Sequence, residues 1–195
     1  MRAEEVVALH TPLVGRGVRV WVDGGWGVDA LLGEQTRPHK DFDVLVPLED
    51  LGRLADVLAD RGFTLKEIWG ENRWVAHSVR LPVIGREERG VSAVATAFVV
   101  RDGASRELDV HALTFDRRGC GVPAWNADVT YPPEALAGRG VIAGTPVRCL
   151  SARMQMATHT GYALQAKDLQ DLRLLHERFG VAYLAEQARH FPDSE

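Results

Sequence analysis

The chain has 195 residues, 46% of them hydrophobic and 26% charged. That excludes a disordered chain and leaves room for one compact domain with a small appendage, burying about 70% of its unfolded surface. Its 23 basic and 27 acidic residues give a net charge of -4, opposite to what a protein tracking long nucleic acid needs and mildly suited to a small cationic substrate.

Met1 to Glu5 carries acids where a signal peptide needs a basic flank, and no stretch approaches the length of a membrane span. Cys120 and Cys149 are too few for a disulfide scaffold and lack the CxxC spacing of a zinc site. A cytoplasmic protein with no membrane partner is therefore expected. Arg2 to Leu9 predicts a short helix and Val18 to Val22 a buried strand, broken by Gly24-Gly25. Trp26 to Leu32 suits a helix entering the core, stopped by Gly33. Asp41 to Val46 reads as a second strand ended by Pro47, and Glu49 to Arg61 as an amphipathic helix capped by Gly62. Further strands are expected over Phe63 to Ile68, Trp74 to Leu81 and Ala93 to Val100. Asp102-Gly103 then turns the chain into a strand from Glu107 to Ala112.

The Gly- and Pro-rich text from Arg117 to Gly144 shows no period and reads as a long loop with short strands. Ser151 can cap a helix through Met154 and Met156, and Gln165 to Phe179 is an amphipathic helix ended by Gly180. Strands and helices mix without regular alternation, so the expected class is α+β. A core over residues 1–150 and a helical subdomain over 151–195 is the expected division.

Residues two apart on a strand share a face, so Asp41 and Asp43 present two carboxylates to one side while Phe42 and Val44 turn to the other. Hard Mg²⁺ is commonly held by one or two carboxylates together with substrate phosphates. Alone, such a pair also fits two solvated acids at a strand end. Glu107, Asp109 and His111 alternate with apolar residues in the same way. Asp109 could complete a carboxylate triad, or all three could line an exposed sheet face. Gly24-Gly25 at a strand-to-helix turn lets backbone approach a ligand and opens helix N–H groups to phosphate, or is simply a tight turn. Neither the P-loop nor the GxGxxG pattern is present. Trp21, Trp26, Trp69 and Trp74 read as core or sheet residues, with Trp125 in the loop more open to a ligand role. His77, His159, His176 and His190 lack zinc-site spacing, and Arg86 to Arg89 reads as a solvated turn.

Asp23-Gly24-Gly25-Trp26-Gly27-Val28-Asp29-Ala30-Leu31-Leu32-Gly33, followed by Thr36-Arg37-Pro38-His39-Lys40-Asp41-Phe42-Asp43, resembles the lincosamide and aminoglycoside-2''-nucleotidyltransferases of the DNA polymerase β-like superfamily. The resemblance continues through Leu108 to His111, Gly144 to Cys149 and His159 to Tyr162, and ends at Lys167 to Asp171. It implies a polymerase β-like mixed sheet flanked by helices, with a small C-terminal helical layer. It makes Asp41 and Asp43 the Mg²⁺ ligands, Asp109 the third carboxylate, and Gly24 and Gly25 the turn that cradles the triphosphate. Lys167 would reach the phosphates, although it could equally pair with Asp171 one helical turn on. Arg37 and His39 would touch nucleotide or shape the loop. The wider superfamily usually has Gly-Ser where this chain has Gly24-Gly25.

The implied reaction moves AMP, or another nucleoside monophosphate, from ATP to a hydroxyl of a small molecule such as a lincosamide or aminoglycoside antibiotic. Asp109 would act as base, metal ligand or both, and the acceptor would lie near His159 and Tyr162. A homodimer is compatible with this reading. The competing readings are a metal-dependent glycosyltransferase, for which 195 residues leave little room, and a catalytically silent nucleotide- or drug-binding protein.

Overall fold

The computed structural model describes residues 1–70, 73–80 and 95–192. The expected Arg86 to Arg89 turn, the end residues of two expected strands (Leu81, Ala93 and Val94) and the side chain of His77 lie outside the described residues. Helix α1 spans Ala3–Gly15, past the expected end at Leu9, because Val6, Leu9, His10 and Leu13 keep one face in the core through Pro12. Strand β1 is only Trp21–Val22. Val18 and Val20 are buried as expected, but the Arg19 backbone N–H donates to the Asp50 carboxylate instead of a neighbouring strand.

Helix α2 spans Gly24–Leu32, two residues earlier than the apolar pattern suggested, because the Asp23 carboxylate accepts from the Gly24 N–H and caps it there. Gly33 ends it in the left-handed conformation. Strand β2 is Asp41–Pro47, and a 3-10 turn at Leu48–Asp50 leads into α3, Leu51–Ala59. Three antiparallel strands follow: β3, Thr64–Gly70, β4, Arg73–Arg80, and β5, Ala97–Arg101. Strand β6 runs Glu107–Phe115. The long loop carries β7, Gly121–Pro123, and β8, Gly138–Ile142, and β9 is Thr145–Cys149. Three helices finish the chain: α4, Ala152–Thr158, α5, Ala166–Phe179, and the short α6, Ala185–Ala188. Ser151 caps α4 through the Met154 N–H, and Gly180 closes α5.

The strands form one mixed sheet in the order β4-β3-β5-β6-β2-β1-β9-β8, with β7 continuing along β6. Its centre is the parallel pair β2 and β6, flanked by antiparallel neighbours, which is the α+β arrangement expected from the sequence. One face packs Phe42, Val44, Leu108 and Val110 against α1, α2 and α3. A separate cluster of Val28, Met156, Leu172, Leu175 and Phe191 fixes the C-terminal helices against α2. None of the helices among the described residues is long and apolar enough to cross a membrane.

Candidate active site

Register places the carboxylates. Asp43 on β2 pairs with Asp109 on β6, and Asp41 pairs with Glu107. On the other side of β2 the Asp23 backbone N–H donates to the Asp43 carbonyl at 3.0 Å, continuing the β1 register. Asp23, just past the end of β1, therefore stands level with Asp43 on β2 and Asp109 on β6, on the face opposite the core. Burial, then the charges of Asp41, Asp109 and Asp23, push the Asp43 carboxyl well above the usual carboxylate range, against the pull of Lys167. Burial also raises the Asp23 carboxyl, against the hydrogen bond from Gly24.

Asp109 Oδ1 is buried and makes no hydrogen bond, and His111 Nε2 lies 3.2 Å from it. Burial draws the His111 imidazole down, but the adjacent Asp109 and the charge of Asp23 outweigh it and raise its pKa. Glu107, expected to share an exposed face with Asp109, is buried instead. Burial pulls its carboxyl up, yet Lys66, Arg101 and Lys40 hold it at about 2. It serves as a charge anchor at the rim of the sheet.

Gly24 has φ +57, and a Cβ there would collide with the Asp43 carboxylate. At Gly25 a Cβ would strike Arg37 and His39. The glycine pair thus lets the start of α2 sit directly on the carboxylate row.

Arg37 and His39 shape the loop before β2. The Arg37 guanidinium makes a two-armed ion pair with buried Asp171 on α5, at 3.0 and 2.5 Å. His39 Nε2 meets the Asp29 carboxylate of α2 at 2.5 Å, and its ring packs on Trp26. Both still line the cleft. Asp171 is taken by Arg37, so the alternative pairing of Lys167 with Asp171 within α5 does not form. Lys167 has no ion-pair partner among the described residues and faces the carboxylates.

These groups enclose a cleft of about 830 Å³ lined by Asp23, Gly24, Gly25, Asp41, Asp43 and Lys167, with His159 and Tyr162 on the far wall. Burial, with the charges of Asp168, Asp171 and Asp23, pushes the Tyr162 hydroxyl up to about 12, so it stays a hydrogen-bond donor. Trp74 also lines the cleft, while Trp21 and Trp26 are core residues. Another cleft of about 410 Å³, lined by His10, Arg19, Arg139 and Arg148, has no carboxylate in its lining and shares no residue with the first.

A family model described as aminoglycoside-2''-adenylyltransferase matches residues 5–84 and 84–175. The chain belongs to this family. A lincosamide resistance protein of Staphylococcus haemolyticus is 24% identical over 158 residues, covering 81% of this chain and 84% of the relative. A 2''-aminoglycoside nucleotidyltransferase of Escherichia coli is 29% identical over 163 residues, covering 77% and 70%. A lincosamide antibiotic adenylyltransferase solved with lincomycin has the same fold, at TM-score 0.67 and 22% identity over 88% of this chain and 94% of that one. ANT(2'')-Ia with adenylyl-2''-tobramycin matches at TM-score 0.60 and 20% identity, over 96% and 92%. Family membership makes the chain a nucleotidyltransferase, and it shares the α+β fold of these two solved enzymes.

The sequence reading missed Asp23, Asp29 and Asp171 as members of the site. Asp23 carries a local signal, an acid directly after a strand and before Gly-Gly. Asp171 carries none, because its partner Arg37 lies 134 residues away.

Proposed function

We propose that the chain transfers AMP from ATP to a hydroxyl of a small molecule of the lincosamide or aminoglycoside class, with Mg²⁺ held by Asp41 and Asp43 and Asp109 as third carboxylate. The observation that carries this reading is the row of Asp23, Asp43 and Asp109 on one sheet face, with Asp23 and Asp43 lining a cleft that Lys167, without an ion-pair partner among the described residues, also lines. Among the described residues no three His, Cys, Asp or Glu side chains form a ready-made metal cage. Mg²⁺ binding here therefore relies on one or two carboxylates, with water and substrate phosphates completing the shell. The donor set fits as well: Asp43 is buried beside like charges, and Asp109 Oδ1 is buried without a hydrogen bond. When bound, the divalent ion would stabilise charge on the attacking and departing oxygens.

The rest falls to the chain. N–H groups at the start of α2, opened by Gly24 and Gly25, and the Lys167 ammonium hold the triphosphate and orient its α-phosphorus. Arg37 and His39 keep the loop before β2 clamped to α5 and α2, which fixes where Asp41 and Asp43 point. The acceptor hydroxyl attacks the α-phosphorus, an O–P bond forms, and the bond to pyrophosphate breaks. Asp109 accepts the hydroxyl proton, with His111 Nε2, 3.2 Å away, positioned to orient its carboxylate.

Incubation of the protein with ATP, Mg²⁺ and a panel of lincosamides, aminoglycosides and plain sugars, read by mass spectrometry, tests the proposal. An acceptor heavier by one AMP, with pyrophosphate released, is the expected result. Nucleotide binding without any adduct would favour a silent binding protein.

A further inference from the structure

A second, smaller pocket of about 310 Å³ opens beside the carboxylate cleft, and Asp23, His111 and Thr158 line both. Its remaining walls are mostly apolar or aromatic: Leu45, Trp125, Val129, Tyr131, Met154 and Ala157. Trp125 comes from the long loop, and its ring sits 4.7 Å from that of His111, so the imidazole beside Asp109 also props the pocket wall. Tyr131 is buried and held by backbone bonds in both directions with Gly121. Among the described residues Asp23 is the only acid in the lining, and its carboxylate already accepts from the Gly24 N–H.

We propose that this pocket is the acceptor subsite, and that it takes an acceptor carrying an apolar or alkylated group beside its reacting hydroxyl and few positive charges, in preference to a polycation. The inference rests on the nucleotidyl-transfer reading. Its physical basis is desolvation. A polyamine entering this pocket would bring several ammonium groups to one engaged carboxylate, two threonines and two aromatic rings, too few partners for all of them once water is excluded, which is unfavourable. An apolar substituent would gain the contact of the Trp125, Tyr131 and Met154 surfaces instead. The size agrees, since about 310 Å³ holds one ring or short alkyl substituent and leaves the hydroxyl-bearing ring at the seam, beside Asp23 and His111. In the larger cleft Asp41 and Asp43 would be engaged by the metal, and Asp168 already accepts from the Gln165 N–H at the start of α5, so these acids are poor substitutes for a polycation's partners.

Lincomycin, with a single basic nitrogen, and tobramycin, a polyamine, are the two probes. With the intact chain, kcat/KM for lincomycin is expected to exceed that for tobramycin by at least about tenfold. Trp125→Ala is expected to raise KM for lincomycin about tenfold or more, with KM for ATP within about twofold. Trp125→Phe should recover most of the loss, which separates a contact role from a folding defect. Preference for tobramycin, or a Trp125→Ala variant with unchanged KM for lincomycin, would overturn the assignment while leaving nucleotidyl transfer intact. If no probe is modified, the transfer reading fails first. Titration calorimetry with lincomycin against the parent and Trp125→Ala still decides the pocket. Loss of binding in the variant supports it, and equal or absent binding in both overturns it.

Discussion

Asp43 on β2 lies directly across the parallel ladder from Asp109 on β6, so two carboxylates that share no sequence neighbourhood stand side by side on one face of the sheet. Without a cation this is an unfavourable arrangement. Burial and the three nearby acids hold the Asp43 carboxyl well above its ordinary value, so the fold holds its proton more tightly than the unfolded chain does. A raised acid supports the fold below its unfolded pKa, and that support fades as pH rises through the folded value. Asp43→Asn should therefore raise the metal-free Tm at pH 8, by about 2–4 °C for each kcal/mol of repulsion removed, and the gain should shrink on acidification toward pH 4. Thermal melts of parent and variant across that range, in chelator, check the sign. A variant less stable than the parent at pH 8 would count against the repulsion.

Adding Mg²⁺ and a nonhydrolysable ATP analogue should reverse that order. The parent gains stability by mass action, while Asp43→Asn gains little. Equal shifts in both would place the metal elsewhere.

Gly24 occupies a left-handed backbone conformation with no room for a side chain beside Asp43. Gly24→Ala is expected to cost about 1–2 kcal/mol in stability from the backbone alone and to abolish turnover by displacing Asp43. Denaturant melts and a pyrophosphate-release assay read the two effects separately.

The ion pair between Arg37 and Asp171 is fully buried at Asp171 and half-buried at Arg37, which lines the cleft. Asp171→Ala leaves a guanidinium without its partner and should destabilise the protein by about 3–5 kcal/mol, as measured by urea unfolding. A loss under about 1 kcal/mol would mean that the loop before β2 is held mainly by His39 and Asp29.

What could be read beforehand follows from locality. Asp41 and Asp43 were visible because a strand's period of two aligns them, and Asp109 because Glu107 to His111 alternates in the same way. The helix limits at Gly33, Ser151 and Gly180 were visible because capping is a short-range event. The shortness of β1 was hidden, since it depends on Arg19 bonding to Asp50 from 31 residues away. Glu107 looked like its neighbour Asp109, yet Lys66 and Arg101 arrive from other strands and take it out of the site. Asp23 was overlooked because its importance comes from lying level with Asp43 and Asp109, which only the sheet order reveals.

Asp109→Asn gives the most direct test of the carboxylate row. The amide keeps the shape of the side chain and removes its charge and basicity. The variant should fold and bind ATP, but kcat at saturating acceptor should fall by at least about two orders of magnitude, the scale of a lost general base. Rapid-quench measurement of AMP transfer in parent and variant decides it. A fall of that size is the expected result, and turnover within about threefold of the parent, as for an ordinary strand residue, would contradict the assignment of Asp109 to the reaction.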